Sequence, residues 1–388
     1  MKYKILYVNL FPEIGGAETS LTYLIQTLNK KLFQPIVILP QPGNFSERLK
    51  KFNVPIIFLN LPGYLIRTLF LPGAHPVAIW HFFRLCQQLK PDLIHLNHLT
   101  QAVYAGIASK LLKIPVVATS WMNSDSIYFY QDVITNIFVD KILLVSYRLA
   151  NRFVHHHIVN PGKLTVIFPG VDTIFFKPTK NKIKAKRKLK INPKDLVISI
   201  VSRFDPTKDH ITFLKAIKIV VQQYPQITIL IANDPQINLG DENQAAVDVK
   251  KNVNQYLKNQ PQLAQHVIFT GYQSNILPLC QATDILVNSS HYESLGISLI
   301  EAAACSLPIV STDYEGQHYV ITNNQTGFLV PIREPQIMAE KILQLINNKK
   351  LRTEFGRKAR IHAVDNFSVK RYAAKIENVY LSLLKVEK

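Results

Sequence analysis

Short apolar and β-branched runs alternate along this chain with segments whose apolar residues recur every three to four positions. In the first half, the runs Lys4–Asn9, Pro35–Leu39, Pro55–Leu59, Leu93–Leu96, Pro115–Thr119, Ile142–Val145 and Leu164–Ile167 predict strands. The helical spacing of Ala17–Leu28, Ala78–Leu89 and Ala102–Leu112 predicts helices between them. The rhythm restarts with strands expected at Leu196–Val201, Ile227–Ala232, Val267–Thr270, Ile285–Val287, Pro308–Ser311 and Gly327–Val330. Helical patterns at Thr212–Gln222, Gly296–Cys305 and Pro335–Ile346 accompany this second set, and an amphipathic segment, Ser368–Val386, follows it. Strands that are apolar throughout and alternate with helices make parallel sheets covered on both faces. The expectation is therefore an α/β chain of two Rossmann-like domains, 1–175 with a terminal helix at 368–388, and 176–367.

The chain of 388 residues exceeds what one core usually supports, and 47% hydrophobic with 18% charged residues suits two buried cores. No short-period repeat suggests a solenoid. The N-terminal run Ile5–Leu10 reads as a first strand rather than a signal peptide, and no stretch has the length of a membrane span. Cys86, Cys280 and Cys305 lie far apart without metal-ligand spacing and read as core filler, which suits a reducing cytoplasm.

The formal net charge of +19, from 45 basic and 26 acidic residues, favours anionic partners such as sugar nucleotides or phospholipid headgroups. Seven of the eleven residues Lys180–Lys190 are basic. The run reads as a solvated helix face at a domain junction, or else as a patch for an anionic membrane. Nothing resembles a nucleic-acid-binding signature, so nucleic acid is not an expected partner. Residues 61–90 mix aromatic and aliphatic side chains with Arg67, Arg84 and Lys90, and read as an ordinary core helix and loop or a membrane-surface or lipid-acceptor patch.

Ligands of doubly wound sheets bind outside the carboxyl ends of the strands, and several informative residues fall there. Gly15 and Gly16 follow the first strand and open a helix, where backbone amides can approach an anion. The motif is not G-x-G-x-x-G, which counts against a nicotinamide enzyme. Arg203 and Lys208 follow the first strand of the second set and can clamp a diphosphate as fork and point charge. Glu293 stands in a loop before a helix expected to begin near Leu295. The amides of Leu295, Gly296 and Ile297 would be open to a phosphate or sugar hydroxyl there, and Glu301 on the helix can bind a ribose diol. His155–His157 point in different directions on a helix and do not suit shared metal ligation.

Together GGAE (15–18), VIFPGVD (166–172), SRF with Lys208, FTGY (269–272), the Glu293/Glu301 pair and TGFLV (326–330) resemble the retaining glycosyltransferases of family four, glycosyl transferases group 1. The resemblance implies a GT-B fold, two Rossmann-like domains facing across a cleft, with the C-terminal helix returning to the N-terminal domain. It implies a retaining, metal-independent enzyme moving a hexose from a nucleoside diphosphate sugar to an acceptor hydroxyl, in polysaccharide or glycolipid synthesis. The donor is a substrate, and no cofactor is implied. Position by position, Arg203 and Lys208 look like the pair that neutralises the diphosphate. Glu293 looks like the acid at the transferring sugar, and Glu301 the one at the nucleotide ribose. Gly271 and Tyr272 would edge the base, with Ser294, Leu295 and Gly296 beside the donor and Gly15 and Gly16 lining the cleft. Acceptor contacts fall to Trp121 and His98. The implied partners are the donor, a carbohydrate or lipid-linked acceptor and an anionic membrane face. An epimerase of the same fold and a non-catalytic sugar-nucleotide-binding protein are the competing readings.

Three motifs depart from the family pattern. Trp121 stands where a histidine is common, Asn97 replaces the second histidine of H-x-H, and Glu315 and Tyr319 flank Gly316 where Gly-Gly-x-x-Glu is usual. His95 reads as a satisfied strand-end histidine.

Overall fold

The computed structural model describes residues 2–61, 75–121, 129–232, 240–273 and 275–384. Expectations placed on 62–74, and the side chains of His155 and His156, lie outside the described residues. The chain divides into two compact units, Met1–Gly170 with Val369–Lys388, and Val171–Ser368.

The first unit is built on a parallel sheet. Its strands are β1 (Tyr3–Val8), β2 (Phe33–Leu39), β3 (Ile56–Phe58), β4 (Leu93–Leu96), β5 (Val116–Ser120), β6 (Lys141–Leu144) and β7 (Leu164–Val166), in the order β3-β2-β1-β4-β5-β6-β7. Ile5 to Val8 and all of β4 and β5 are buried, as strands covered on both faces must be. Leu6, Val8, Ile38, Leu96 and Ala118 pack there against Phe82, Tyr104 and Phe153 of the covering helices. The Val369–Leu383 helix belongs to this unit, packs on the Gly16–Thr27 helix and buries Tyr372, Ile376 and Tyr380. The Tyr372 hydroxyl accepts from Ser20 Oγ at 3.1 Å, and Tyr380 Oη lies 3.1 Å from Tyr7 Oη.

The second unit repeats the plan with β8 (Leu196–Val201), β9 (Ile227–Ala232), β10 (Val267–Phe269), β11 (Ile285–Asn288), β12 (Ile309–Thr312) and β13 (Gly327–Val330), in the order β10-β9-β8-β11-β12-β13. Every strand pairing in both sheets is parallel. In each sheet the chain steps outward from a central strand, then returns to its other side. The point of reversal, β1/β4 in one and β8/β11 in the other, is where such folds leave a crevice at the strand ends.

Two local differences from the sequence reading are informative. The helix expected from Leu295 starts at Ile297, because Gly296 adopts φ +83 as its N-cap. The apolar pattern does not predict the Lys349–Phe367 helix: its buried face is Phe355, Gly356, Ala359, Ala363 and Phe367, mostly small residues among many charges. The basic run forms a short helix, Lys182–Lys188, and is only partly solvated. Lys182 and Lys186 lie 2.9 and 2.8 Å from the two oxygens of Asp284. Burial pushes the Asp284 carboxyl up, but the two ammonium groups outweigh it and hold the carboxyl below its usual range. The three cysteines are buried and unpaired.

Candidate active site

At the end of β8 the chain runs through Ser202 and Arg203 into a tight turn. Asp205 accepts from the Thr207 amide at 2.9 Å and caps the Pro206–Lys208 turn. Asp209, left-handed at φ +44, accepts from the Thr212 amide at 3.1 Å and caps the His210–Gln223 helix. These two caps fix the five-residue interval between Arg203 and Lys208. Arg203 stays 68% exposed, with Nη2 3.8 Å from Asp205. Burial pushes the Asp205 carboxyl up, yet the Thr207 hydroxyl and amide, with Arg203 and Lys208 beside them, bring it below its usual range. Phe204 turns inward and stacks on His210 at 4.5 Å.

The loop after β11 meets this turn. Lys208 Nζ donates to Glu293 Oε2 at 2.6 Å, with the two side chains 13% and 22% exposed. Two further bonds clip the loops together, Ser289 Oγ to the Lys208 carbonyl at 2.8 Å and the His291 amide to the Thr207 carbonyl at 2.9 Å. Ser298 at the helix start donates to the Val201 carbonyl at 3.1 Å. The loop after β12 supports the assembly from behind. Thr312 Oγ1 donates to the Ser290 carbonyl, and Gly316 lies flat against the Ser294–Leu295 peptide. A Cβ on Gly316 would sit 2.3 Å from the Ser294 carbonyl carbon, so only glycine fits.

Lys208, Glu293, Ser294, Leu295 and Gly296 are thus one cluster at the β8/β11 reversal, with Arg203 on its solvent side. Glu301 lies one turn into the following helix and is buried. Gly271, at φ +68, and the half-exposed Tyr272 follow β10, two strands from β8 across β9.

The first unit assembles a second cluster at its own reversal. Gly15 is the N-cap of the Gly16–Thr27 helix, and Glu18 reaches back to accept from the Gly15 amide at 3.0 Å, half of a capping box. The other Glu18 oxygen lies 3.3 Å from His98 Nε2, just beyond β4. Glu18 is buried, and the only signal of its part in the cluster that the sequence carries is its place three residues after the cap. Trp121 directs its single donor, Nε1, to the Asn97 carbonyl at 2.8 Å. His95 bonds Thr119 Oγ1 at 2.8 Å and Tyr380 Oη, and burial holds its imidazole down at about 3. It is a satisfied core histidine. Among the described residues no group of three or more His, Cys, Asp or Glu side chains is arranged to hold a metal ion.

Two family models match the chain, Glycosyltransferase Family 4 over residues 14–175 and Glycosyl transferases group 1 over residues 181–362. Among curated proteins, the chain is 21% identical to the UDP-Gal:alpha-D-GlcNAc-diphosphoundecaprenol alpha-1,3-galactosyltransferase of Escherichia coli, covering 99% of this chain and 98% of that one. It is 22% identical to the N-acetyl-alpha-D-glucosaminyl L-malate synthase of Bacillus anthracis, covering 100% and 99%. Among solved structures, Anabaena HepE in complex with UDP and glucose superposes with a TM-score of 0.84 at 21% identity, covering 98% of this chain and 100% of that one. A sucrose-phosphate synthase from Thermosynechococcus elongatus superposes at 0.80 with 16% identity, covering 100% of both. These likenesses show the GT-B fold.

Proposed function

The chain belongs to the family-four glycosyltransferases of GT-B fold, and from that premise we propose that it moves a hexose, with retention, from a nucleoside diphosphate sugar to a carbohydrate or lipid-linked acceptor hydroxyl. The observation that carries this reading is the 2.6 Å Lys208–Glu293 pair at the β8/β11 reversal, with Arg203 exposed beside it and the Gly296 helix start behind. A diphosphate entering there draws Lys208 and Arg203 onto its oxygens, and the helix start adds unpaired amides. Glu293, released from Lys208, accepts from hydroxyls of the transferring sugar. Glu301 accepts from the nucleotide ribose, and Gly271 and Tyr272 edge the base.

In the reaction the anomeric C–O bond to the diphosphate breaks, and its electron pair stays on the departing phosphate oxygen. The acceptor oxygen bonds the anomeric carbon on the same face, and its proton passes to that phosphate oxygen. Arg203 and Lys208 stabilise the charge that develops on the leaving group, work fixed cations do with little reorganisation. UDP is the nucleotide to test first, because HepE holds UDP and the Escherichia coli relative is a UDP-galactose enzyme. Calorimetric titration should show UDP binding that persists in EDTA. Glu293→Ala, Arg203→Ala and Lys208→Ala should each lower transfer by about 10²-fold or more at unchanged circular dichroism. Wild-type turnover in all three would remove this mechanism.

The same enzyme works, in this reading, against an anionic membrane face. No helix among the described residues is long and apolar enough to cross a membrane. Two surfaces support peripheral contact. In the Pro76–Leu89 helix, Ala78, Phe82 and Cys86 are buried, while Trp80 is 56% exposed with Arg84 over its ring. In the second unit Ile183 is 53% exposed within the basic Lys182–Lys188 helix, whose neighbours Lys180, Lys184, Arg187, Lys188 and Lys190 are also exposed, and Ile174 is 66% exposed. Flotation with phosphatidylglycerol vesicles should carry the protein and weaken with salt. Equal flotation with phosphatidylcholine alone, or none with either, would exclude it.

A further inference from the structure

We propose that Glu18 fixes the tautomer of His98, so that His98 Nδ1 faces the substrate as a hydrogen-bond acceptor for a sugar hydroxyl, in a carbohydrate subsite floored by Phe11. The proposal deepens the transferase reading and rests on it for the identity of the ligand. Glu18 is buried and both its oxygens are engaged, one by the Gly15 amide at 3.0 Å and one by His98 Nε2 at 3.3 Å. A carboxylate only accepts, so this contact is a hydrogen bond only when Nε2 carries the proton. The neutral imidazole then has its lone pair on Nδ1. The side chain of His98 is 16% exposed, so it is anchored but reachable.

Its neighbours are also built rather than loose. Phe11 is 39% exposed, and its ring meets His98 edge-on at 5.1 Å. The loop that carries Phe11 is held at three points. The Phe11 carbonyl accepts from Asn9 Nδ2 at 2.7 Å, the Pro12 carbonyl from the Phe45 amide at 3.0 Å, and the Ile14 amide donates to Asn44 Oδ1 at 2.8 Å. An exposed aromatic face next to a directed acceptor is the pairing that recognises a pyranose: apolar C–H face on the ring, hydroxyl on the nitrogen.

Topology gives an independent reason to read this pair as a site. The Glu18–His98 bond joins the segment after β1 to the segment after β4, across the reversal of the first sheet. The Lys208–Glu293 pair joins the segments after β8 and β11, across the reversal of the second. Each sheet therefore carries one ionisable pair at the point where doubly wound folds bind their ligands. Trp121, at the adjacent end of β5, has its donor engaged by Asn97, so the hydroxyl-directing role at this end of the sheet falls to His98.

Glu18→Gln is the deciding variant. The glutamine carbonyl still accepts from the Gly15 amide, so the helix cap stays, but its amide now donates to His98 Nε2 and moves the proton to Nδ1. Long-range ¹H–¹⁵N spectra of the histidine-labelled full chain, with His98 assigned by His98→Asn, should show the Nε2–H form in the wild type. They should show the Nδ1–H form in Glu18→Gln. An Nδ1–H wild type, or no change in Glu18→Gln, overturns the proposal. Titration with p-nitrophenyl glucosides and galactosides should shift the wild-type His98 resonances. No shift with any of them overturns the subsite.

With UDP-glucose as donor, Glu18→Gln should lower transfer to the glycoside at least about ten-fold in kcat, while UDP release without acceptor stays within about two-fold. Phe11→Ala should instead raise the glycoside KM and spare kcat. Equal loss of both activities in Glu18→Gln, or of neither, refutes the acceptor-side role. A wild type that binds none of UDP, GDP or ADP would sink the transferase reading instead, and the tautomer spectra would still decide whether Glu18 sets His98.

Discussion

Gly316→Ala isolates the contribution of loop geometry to the reaction. The new Cβ would lie 2.3 Å from both the carbonyl carbon and the oxygen of Ser294, and 2.5 Å from the Leu295 nitrogen. Ordinary contact begins at 3.4 Å, so the 294–295 peptide must retreat by about 1 Å, since all three atoms are backbone and none can swing aside. Glu293 is the residue immediately before Ser294, one residue from that peptide. A 1 Å retreat would take the 2.6 Å bond to Lys208 beyond hydrogen-bond range. Overpacking of this kind costs about 1–3 kcal/mol, which lowers Tm by several degrees in a unit of this size. Displacing a positioned group by that distance costs about 10²-fold in rate. The control is Gly356→Ala, whose Cβ would lie 2.1 Å from the Ser306 carbonyl oxygen, beyond the far end of the Ile297–Ala304 helix. Melting curves and kcat/KM for transfer from UDP-glucose, measured well below both midpoints, separate the two effects. Both variants should lose Tm, and only Gly316→Ala should lose about 10² in kcat/KM. Equal rate losses on the folded fraction would show that the glycine serves stability alone.

Two further outcomes concern stability. Burial holds His95 down at about 3 and His210 at about 4, one in each unit. Since both folded values lie below the unfolded one, the unfolded chain takes the proton first. Stability is therefore full above about pH 6.5 and falls as the pH drops towards 4, by up to about 1.4 kcal/mol per pH unit for each histidine. Urea melts at pH 7 and pH 4.5 measure this, and His210→Gln should flatten the profile. Asp284→Ala leaves the buried Lys186 without its carboxylate and should cost about 3–5 kcal/mol by the same melts.

Much of the fold was legible because its determinants are local. Apolar runs mark buried parallel strands, and all thirteen described strands overlap an expected one. The Lys349–Phe367 helix escaped because its buried face is mostly alanine and glycine, which carry little hydrophobic contrast. The site was legible only in part, for the same reason turned round. Strand-end position singled out Arg203, Lys208 and Glu293, since β-strand ends can be read along the chain. The engagement of Glu18 by His98, 80 residues away, and the fit of Gly316 under the 294–295 peptide depend on which strands become neighbours. No spacing rule contains that. The basic run shows the same limit. Composition gave seven cations, but only the fold reveals that Lys182 and Lys186 face Asp284 while the others face solvent.

The two cations of the proposed diphosphate site differ in a way that salt can read. Arg203 is 68% exposed and Lys208 only 13%. An exposed charge acts through water and its attraction is screened as ionic strength rises, whereas a largely buried one is screened much less. Lys208 is already paired with Glu293, so what it adds to nucleotide binding is set against that existing pairing, with little dependence on bulk ions. Between about 0.05 and 0.5 M salt, the affinity that Arg203 adds for UDP should therefore shrink, and the affinity that Lys208 adds should persist. Calorimetric titration of wild type, Arg203→Ala and Lys208→Ala at both salt levels gives the two differences directly. If the Lys208 difference collapses with salt as fast as the Arg203 difference, Lys208 meets the nucleotide from solvent. The paired arrangement with Glu293 would then not be the state from which binding starts.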